Sequence, residues 1–530
     1  MLKKINYYKN ILLDKSNDTP FLYSLAILFS LIIILRFCLG SIGDINWDYP
    51  IFFDGMWRVY NGQIPHLDFS TPIGPVTFWI GSLGAIIFGL SINSFDYGLI
   101  LLSIILIPIF IYFSRQYFST KLVFAFSLLI LSFLITPRII GYPSYYLAYT
   151  SNYNFIGYCL VFLTVLFFLK EEKANQKSHI AFFLAGFFTI VSFFTKITFG
   201  VGLIIFGILS LYLKNTDFKL VKTYFYGLFF TLILFLFYFN FEILDLFSEY
   251  KLVLSSSNDQ TFYSLILNKI NFFFLNSFNF FFAFFPIVIS FYFIFIIYKE
   301  KSSSEKNSIL FKQLFLFMFL GLALMFTVNQ PPEFIAGTFI IIIFLDWLEV
   351  NRNLFLSKFT SLFKYTGYLI IYSFILNNLF AIPAGFYKKV YLKNNYSAQF
   401  NDYTNLKDGY FNINSRITDE YIDGFNILSN FIKKDDKISV IGVNIFSFGL
   451  AQKSPRNDLL YWHEGVTFSK NSIPNLIPEV IFQETTILMV PKTMIHRPDN
   501  AIKHFYPFIN DNFDLIVEST YWKVYSRNFF

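Results

Sequence analysis

The chain has 530 residues, of which 55% are hydrophobic, 22% aromatic and only 14% charged. Soluble globular chains carry about 25% charged residues, so this composition excludes an ordinary soluble domain. The net charge of +7 is no nucleic-acid signal, because the lysines fall mainly between hydrophobic spans, where they set membrane orientation.

The first element is an apolar span running to about Gly40, entered through Met-Leu-Lys-Lys and a polar stretch ending at Pro20. It reads as an uncleaved transmembrane helix, since the approach is long for a signal peptide and no small-residue cleavage site follows. Lys3, Lys4, Lys9 and Lys15 put the N-terminus in the cytoplasm. Residues 44–75 are then an outer loop, and it is the densest polar stretch in the first third of the chain. It holds Asp44, Asp48, Asp54 and Asp68. A helix is expected over 49–61, with Ile51, Phe52, Met56, Val59 and Tyr60 on an apolar face turned to lipid. Trp47 and Trp57 suit the headgroup level. Asn61-Gly62 marks a turn, followed by Pro65-His66-Leu67-Asp68-Phe69 and by Pro72 and Pro75. A partly desolvated carboxylate at the bilayer surface is a general base toward a hydroxyl. Aspartates that merely keep a loop soluble would leave the same pattern.

Candidate spans of about 20 residues follow at 73–91, 95–113, 121–137, 153–169, 179–195, 198–213, 223–240, 276–298, 314–330, 334–349 and 366–386. Basic connectors at 170–177, 214–222, 299–312 and 352–364 are expected in the cytoplasm. Counting back from them leaves room for one crossing between the first loop and Arg115, yet two apolar segments lie there. The non-crosser is read as 73–91, which follows Pro72 and Pro75 and holds Gly74, Gly81, Gly84 and Gly89.

Polar residues in the later outer loops are the next candidates. Loop 138–154 carries Arg138, suited to a donor phosphate through its guanidinium fork or to snorkelling. Lys196 faces the outer side, where the positive-inside rule does not place a lone lysine, so a phosphate partner is weighed against snorkelling. Glu333, after Pro331-Pro332, is positioned to meet a sugar or acceptor. The five histidines show no metal-ligand spacing. Cys38 and Cys159 lie in or beside apolar spans and suggest neither a disulfide framework nor a thiolate metal site.

Residues 387–530 change character. Short apolar runs at 437–443, 486–490, 514–518 and 521–525 alternate with helices expected at 418–433 and near 499–508. This reads as a small α/β domain with no Gly-rich nucleotide turn.

The first loop resembles that of the GT-C superfamily of integral-membrane glycosyltransferases, close to the branch of the dolichyl-phosphate-mannose–protein mannosyltransferases and aminoarabinose transferases. Its members place an acidic residue after the first helix, then an amphipathic helix ending in Gly. A Pro-Tyr/His-x-Asp-Phe stretch and a Pro-containing entry to the next helix follow. Here Asp48 stands fourteen residues before Gly62, followed by Pro65-His66-Leu67-Asp68-Phe69 and Pro72-Ile73-Gly74-Pro75. Tyr153-Asn154 matches a further Tyr-Asn of related members. The likeness covers about 40 residues. Many members carry Asp-Glu where this chain has Asp48-Tyr49, which puts metal coordination by that doublet in doubt.

The resemblance implies a polytopic α-helical membrane protein of about 11–13 transmembrane helices. Residues 1–386 would form the membrane domain, with first outer loop 41–72, and residues 387–530 an extracytoplasmic α/β domain. It implies a plasma (inner) membrane enzyme that moves a sugar from a polyprenyl-phosphate donor to a glycan, lipid or protein acceptor on the outer face. Asp48 would be the base, with Asp44 the competitor. Asp68, His66, Arg138, Tyr153, Asn154, Lys196 and Glu333 would bind substrate. No cofactor is expected, a divalent metal is left open, and partners are membrane lipids rather than nucleic acid. An envelope polysaccharide polymerase or ligase, and a lipid or solute transporter, are the competing readings. A transporter predicts internal repeats and mid-span polar residues, neither of which is found.

Overall fold

The structure is a computed structural model. It describes residues 18–43, 48–116, 118–136, 152–168, 176–213, 216–242, 244–248, 341–342, 344–346, 358–395, 405–406, 410–411, 416–493 and 498–528. The spans expected at 276–298 and 314–330 lie outside the described residues, as does all but a few residues of 334–349.

Long apolar runs become helices because only a helix satisfies every backbone polar group without water. In chain order they are α1 (Asp18–Leu39), α2 (Asp48–Tyr60), α3 (Pro75–Phe88), α4 (Ser94–Ser114), α5 (Thr120–Ile135) and α6 (Asn152–Phe168). Then come α7 (Gln176–Phe193), α8 (Ile197–Leu213), α9 (Phe218–Tyr238), α10 (Lys358–Leu379) and α11 (Ala381–Asn395). Among the described residues, Leu22–Leu39, Ser94–Ser114, Phe218–Tyr238 and Lys364–Val390 are long and apolar enough to cross a membrane. Five shorter apolar helices stand beside them. The outside of this bundle is itself apolar: Ile27 is 70% exposed, Ile86 68%, Tyr226 64% and Leu369 66%. A surface of that kind matches lipid, since water-facing proteins rarely expose large contiguous apolar patches.

One end of the bundle gathers the polar groups. At the end of α1 the buried Arg36 guanidinium pairs with Asp96 of α4 and donates to the carbonyls of Ile135 (2.6 Å) and Gly40 (2.7 Å). The Ser41 amide donates to Asn93 Oδ1 at 2.6 Å, and its hydroxyl to the Ile92 carbonyl at 2.9 Å. Asn93, just before α4, therefore sits beside the end of α1. At the other end of α3 the Gly74 amide donates to the Thr195 carbonyl at 3.1 Å, in the turn between α7 and α8. α3 thus starts and finishes on one side of the bundle. At 14 residues it spans about 21 Å, against a hydrocarbon core of about 30 Å. Gly84 and Gly98 let α3 and α4 touch backbone to backbone, since a Cβ on either would collide with a carbonyl oxygen of the partner helix.

The C-terminal part is an α/β domain. β3 (Ile438–Val440), β4 (Ile487–Pro491), β5 (Phe513–Glu518) and β6 (Trp522–Arg527) form a sheet of order β3-β4-β6-β5. β3 runs parallel to β4, while β6 is antiparallel to both β4 and β5. Helix α12 (Arg416–Leu428) precedes β3 and α15 (Asp499–Asn512) lies between β4 and β5, with the short helices α13 (Phe446–Gly449) and α14 (Pro478–Ile481) in the crossover from β3 to β4. β4 shows how the layers arise. All five of its residues are buried, and successive side chains point to opposite faces. Ile487 and Met489 join the core shared with α12, and Leu488 and Val490 a second core with Phe482, Phe505 and Ile509. β4 is therefore covered on both faces, whereas the edge strand β5 is mostly exposed. A further two-residue pair, β1 (Ile42–Gly43) with β2 (Tyr410–Phe411), ties the chain after α1 to the C-terminal part.

Helix α2 corrects the sequence expectation. It does not lay its apolar face in lipid, because every residue from Tyr49 to Arg58 is buried. One side packs on the bundle: the Phe52 ring lies 5.4 Å from Phe95, and the Met56 carbonyl accepts from the Ser82 hydroxyl at 2.9 Å. The other side packs on the C-terminal domain, with Phe53 5.0 Å from Phe448. Trp57 is not a headgroup anchor, for its indole N–H donates to the Gln452 carbonyl at 2.6 Å. Amphipathic periodicity identifies a helix with two chemical faces but does not name what covers them.

Candidate active site

Asp48 opens the first turn of α2 and is half-buried. A helix start presents unpaired backbone N–H groups and the positive end of the macrodipole, which favours a carboxylate there. One turn later, Phe52 brings its ring to 5.9 Å from Tyr153, at the start of α6. The ammonium of Lys196 stands over the same Tyr153 ring, 4.9 Å from its centroid, and 3.4 Å from Asn154 Oδ1. The phenol of Tyr461, from the C-terminal domain, lies in the field of both Tyr153 and Asp48. Burial first, and then the neighbouring Tyr153 phenol and Asp48 carboxylate, hold it well above the ordinary tyrosine range. An ammonium, an amide and a phenol from two separate segments thus meet at the polar end of the bundle, beside the helix that opens with Asp48.

The turn that carries Lys196 is fixed by the first loop. Gly74 and Val76 donate to the carbonyls of Thr195 (3.1 Å) and Phe194 (3.3 Å). A Cβ at Gly74 would collide with the Phe194 carbonyl oxygen. The Pro-Ile-Gly-Pro stretch therefore needs glycine at this point for close backbone approach.

The Pro65–Phe69 segment borders this cluster. Gly62 takes φ +84°, as the Asn-Gly turn requires, and His66 takes φ +68°. The His66 ring is 5% exposed and lies 6.3 Å from Phe239, which in turn lies 5.5 Å from Phe194. Burial lowers its pKa to about 3, so the imidazole is neutral. Asp68 closes its own loop, accepting from the Ile64 amide at 2.7 Å and facing Arg456 Nε at 3.5 Å. Its backbone carbonyl accepts from Asn457 at 2.6 Å.

A second buried polar group joins α2 to the C-terminal domain. Arg58 Nε donates to Asp54 Oδ2 at 2.8 Å, and its Nη1 to the Pro455 carbonyl at 2.7 Å. Asp54 Oδ1 accepts from the Ser454 hydroxyl at 2.8 Å, and Gln63 donates to the Ser454 carbonyl at 2.7 Å. Asp458 accepts from Ser439 at 2.8 Å while its backbone carbonyl accepts from the Ser70 amide at 3.1 Å. Burial raises both carboxyls against the opposing pull of Arg58, that of Asp458 to about 7.

Of the residues singled out by sequence, Tyr153, Asn154 and Lys196 come together, Asp48 opens the helix whose Phe52 packs on Tyr153, His66 lies near Phe239, and Asp68 serves its own loop and the domain contact. Asp44, Arg138 and Glu333 lie outside the described residues. Tyr461 was not singled out, since one tyrosine among 35 carries no signal. The Asp54–Arg58 pair at i,i+4 did carry one: opposite charges on an otherwise apolar helix indicate a buried partner rather than lipid. Among the described residues, no group of three or more His, Cys, Asp or Glu is placed to hold a metal ion.

No protein-family model matches this sequence, and no curated protein matches it. Among solved structures it is similar to ArnT from Cupriavidus metallidurans in the apo state, at TM-score 0.44 and 10% identity over 96% of this chain and 98% of that one. ArnT bound to undecaprenyl phosphate gives TM-score 0.45 and 11% identity over 96% and 98%. The Archaeoglobus fulgidus oligosaccharyltransferase in its apo form gives TM-score 0.44 and 13% identity over 88% of this chain and 69% of that one.

Proposed function

We infer that this chain is an integral-membrane glycosyltransferase that moves a sugar from a polyprenyl-phosphate donor to an acceptor hydroxyl at the outer face of the inner membrane. The observation that carries this reading is the Lys196 ammonium over the Tyr153 ring, against which Phe52, one turn after Asp48 on the same helix, also packs. A carboxylate and an ammonium at one site supply the two things such a transfer needs.

In this reading Asp48 takes the proton of the acceptor hydroxyl as its oxygen attacks the anomeric carbon. The bond from that carbon to the phosphate oxygen breaks, and polyprenyl phosphate leaves with the electron pair, inverting the centre. Lys196 meets the charge that develops on the phosphate, and Arg138 joins it. Asn154 holds Lys196 over Tyr153. Asp44 is the alternative base. His66, neutral, contacts the sugar or acceptor, Glu333 is assigned the same partner from its sequence position alone, and Asp68 keeps the first loop in shape.

The placement follows from charge and packing. Lys3, Lys4, Lys9 and Lys15 favour a cytoplasmic start. That puts the end of α1, the Asp48 site and the C-terminal domain together outside. Residues 1–386 then form the membrane domain and 387–530 the extracytoplasmic one.

Binding of undecaprenyl phosphate to the purified full chain tests the donor half of this reading. Lys196→Ala should weaken it roughly 10- to 100-fold, the worth of one charge-assisted phosphate contact, and Asp48→Asn should leave it in place. A wild-type chain that does not bind the lipid overturns the polyprenyl reading.

A further inference from the structure

Arg36 and Asp96 form a buried ion pair that the transfer chemistry does not use. Each side chain is 2% exposed. Arg36 stands in the last turn of α1 and Asp96 in the first turn of α4. Two helices need no ion pair to stay together, since apolar side chains of similar volume often serve as well or better. What this pair holds is backbone. Arg36 Nε donates to the carbonyl of Ile135, the last residue of α5, at 2.6 Å, and Nη1 to the Gly40 carbonyl at 2.7 Å. The Ser41 hydroxyl is shared between Asp96 Oδ2 and the Ile92 carbonyl. Lys389 of α11 adds a bond to the Leu39 carbonyl at 3.0 Å. One polar node thus ties the ends of α1 and α5 to the start of α4. It reaches the site through the next residue. Phe95 precedes Asp96 in α4 and is buried, with its ring 5.4 Å from Phe52. Phe52 stands one turn after Asp48 on α2 and packs at 5.9 Å on Tyr153, the ring under the Lys196 ammonium. α3 leaves Phe95 no slack: a Cβ at Gly81 would meet the Phe95 ring at 2.8 Å and Met56 of α2 at 2.9 Å. Interiors packed this closely transmit displacement. Where Arg36 and Asp96 hold the start of α4 therefore sets where Phe52, and with it the first turn of α2, stands.

Resting on the transferase reading above, we propose that Arg36, Asp96 and Ser41 are positioning residues for the transfer. They fix α1, α4 and α5 against one another at the polar end of the bundle. Through Phe95 and Phe52 they place the helix that opens with Asp48 against the segment of Tyr153 and Asn154. None of the three touches substrate. The reason for a polar node here is direction. A guanidinium fork and a carboxylate meet in a narrow range of geometries, whereas apolar surfaces slide past one another. A general base must stand within hydrogen-bond reach of the proton it takes, and a misplacement of about 1 Å costs up to about 100-fold in rate.

The experiment replaces the pair by apolar side chains, Arg36→Met together with Asp96→Leu, and compares this double variant with wild type, Ser41→Ala and Asp48→Asn as full chains in membranes. The donor is the lipid-linked sugar fraction extracted from producing cells, and thermal stability and undecaprenyl phosphate affinity are measured on the same purified chains. The double variant should melt near the wild-type temperature, while its kcat falls roughly 10- to 100-fold. Its KM for the donor and its affinity for undecaprenyl phosphate should match wild type, because Gly74 and Val76 hold the turn of Lys196. Ser41→Ala, which removes one hydroxyl, should lower kcat by less at unchanged stability. A stable double variant with wild-type kcat shows the pair serving the fold alone and overturns the proposal. A raised KM at unchanged kcat places the node in binding and overturns it too. If the double variant fails to accumulate, Ser41→Ala decides: a lowered kcat at wild-type stability upholds the proposal, and wild-type kcat or lost stability overturns it. Full transfer by the double variant with none by Asp48→Asn leaves the transferase reading standing, and full transfer by both overturns the two together.

Discussion

Nη2 of Arg58 lies 3.7 Å from Oδ2 of Asp458, with both side chains out of solvent. The two residues are 400 positions apart in sequence, and between them they fasten the helix that opens with Asp48 to the domain that carries Tyr461. Arg58 also holds Asp54 at 2.8 Å, so one guanidinium serves two buried carboxyls. Removing one partner of such a group leaves uncompensated charge in a dry site, which costs about 3–5 kcal/mol. Arg58→Ala should therefore loosen the C-terminal domain from the bundle. Limited proteolysis of the purified chain should show the domain released far faster than in wild type, together with lost transfer. Unchanged proteolysis would show that the apolar contacts of Phe53 and Trp57 suffice.

This contact should also depend on pH. Burial raises the Asp458 carboxyl from its ordinary 3.8 to about 7, and Asp54 is raised in the same direction. The docked state thus binds a proton that the undocked state releases. The stability this proton contributes is fully present below about 4 and is lost as pH rises through about 7. Domain release should be slower at pH 5.5 than at pH 8, and Asp458→Asn, which cannot ionise, should flatten the difference. A steeper release at low pH would contradict the sign.

Gly74→Ala should act on the cation of the site without touching it. The added methyl group meets the Phe194 carbonyl oxygen, and the turn that carries Lys196 must shift. Overpacking of this kind costs about 1–3 kcal/mol. The expected result is a modest drop in melting temperature with a larger loss of undecaprenyl phosphate affinity. Gly62→Ala makes a useful contrast: it strains a left-handed turn but meets nothing within 4 Å, so it should lower stability while sparing the lipid.

Much of this architecture was legible in the sequence, and the exceptions share a cause. The α/β domain showed itself because strands and amphipathic helices have local periods, and β3 to β6 fall on the four apolar runs. Asp48, Tyr153, Asn154 and Lys196 stood out because polar groups are rare in so apolar a chain, and the fold brings the last three together. What was hidden is what covers each face. The pattern of α2 fits a lipid surface as well as a protein surface, and only tertiary packing chose the latter. Asp458 looks ordinary in a polar tail. Its role comes from distance in sequence collapsed by the fold, which no local period records.

Helix α3 should not cross the membrane. Its start is bonded to the turn before Lys196, and the residue before α4 is bonded to Ser41 at the end of α1. A topology reporter fused after residue 93 should be active only on the outer side. Cytoplasmic activity at that fusion would reverse the orientation of α4 and of everything built on it.

The most direct test of the central claim is the level of lipid-linked sugar in cells that make Asp48→Asn in place of wild type. If Asp48 is the base that activates the acceptor, the variant should accumulate normally and bind undecaprenyl phosphate. Transfer should fall by at least about 100-fold, the contribution typical of a general base. The polyprenyl-phosphate sugar should build up while its product disappears from the envelope glycans. Normal glycans and no build-up of donor in cells carrying a stable Asp48→Asn chain would contradict the account.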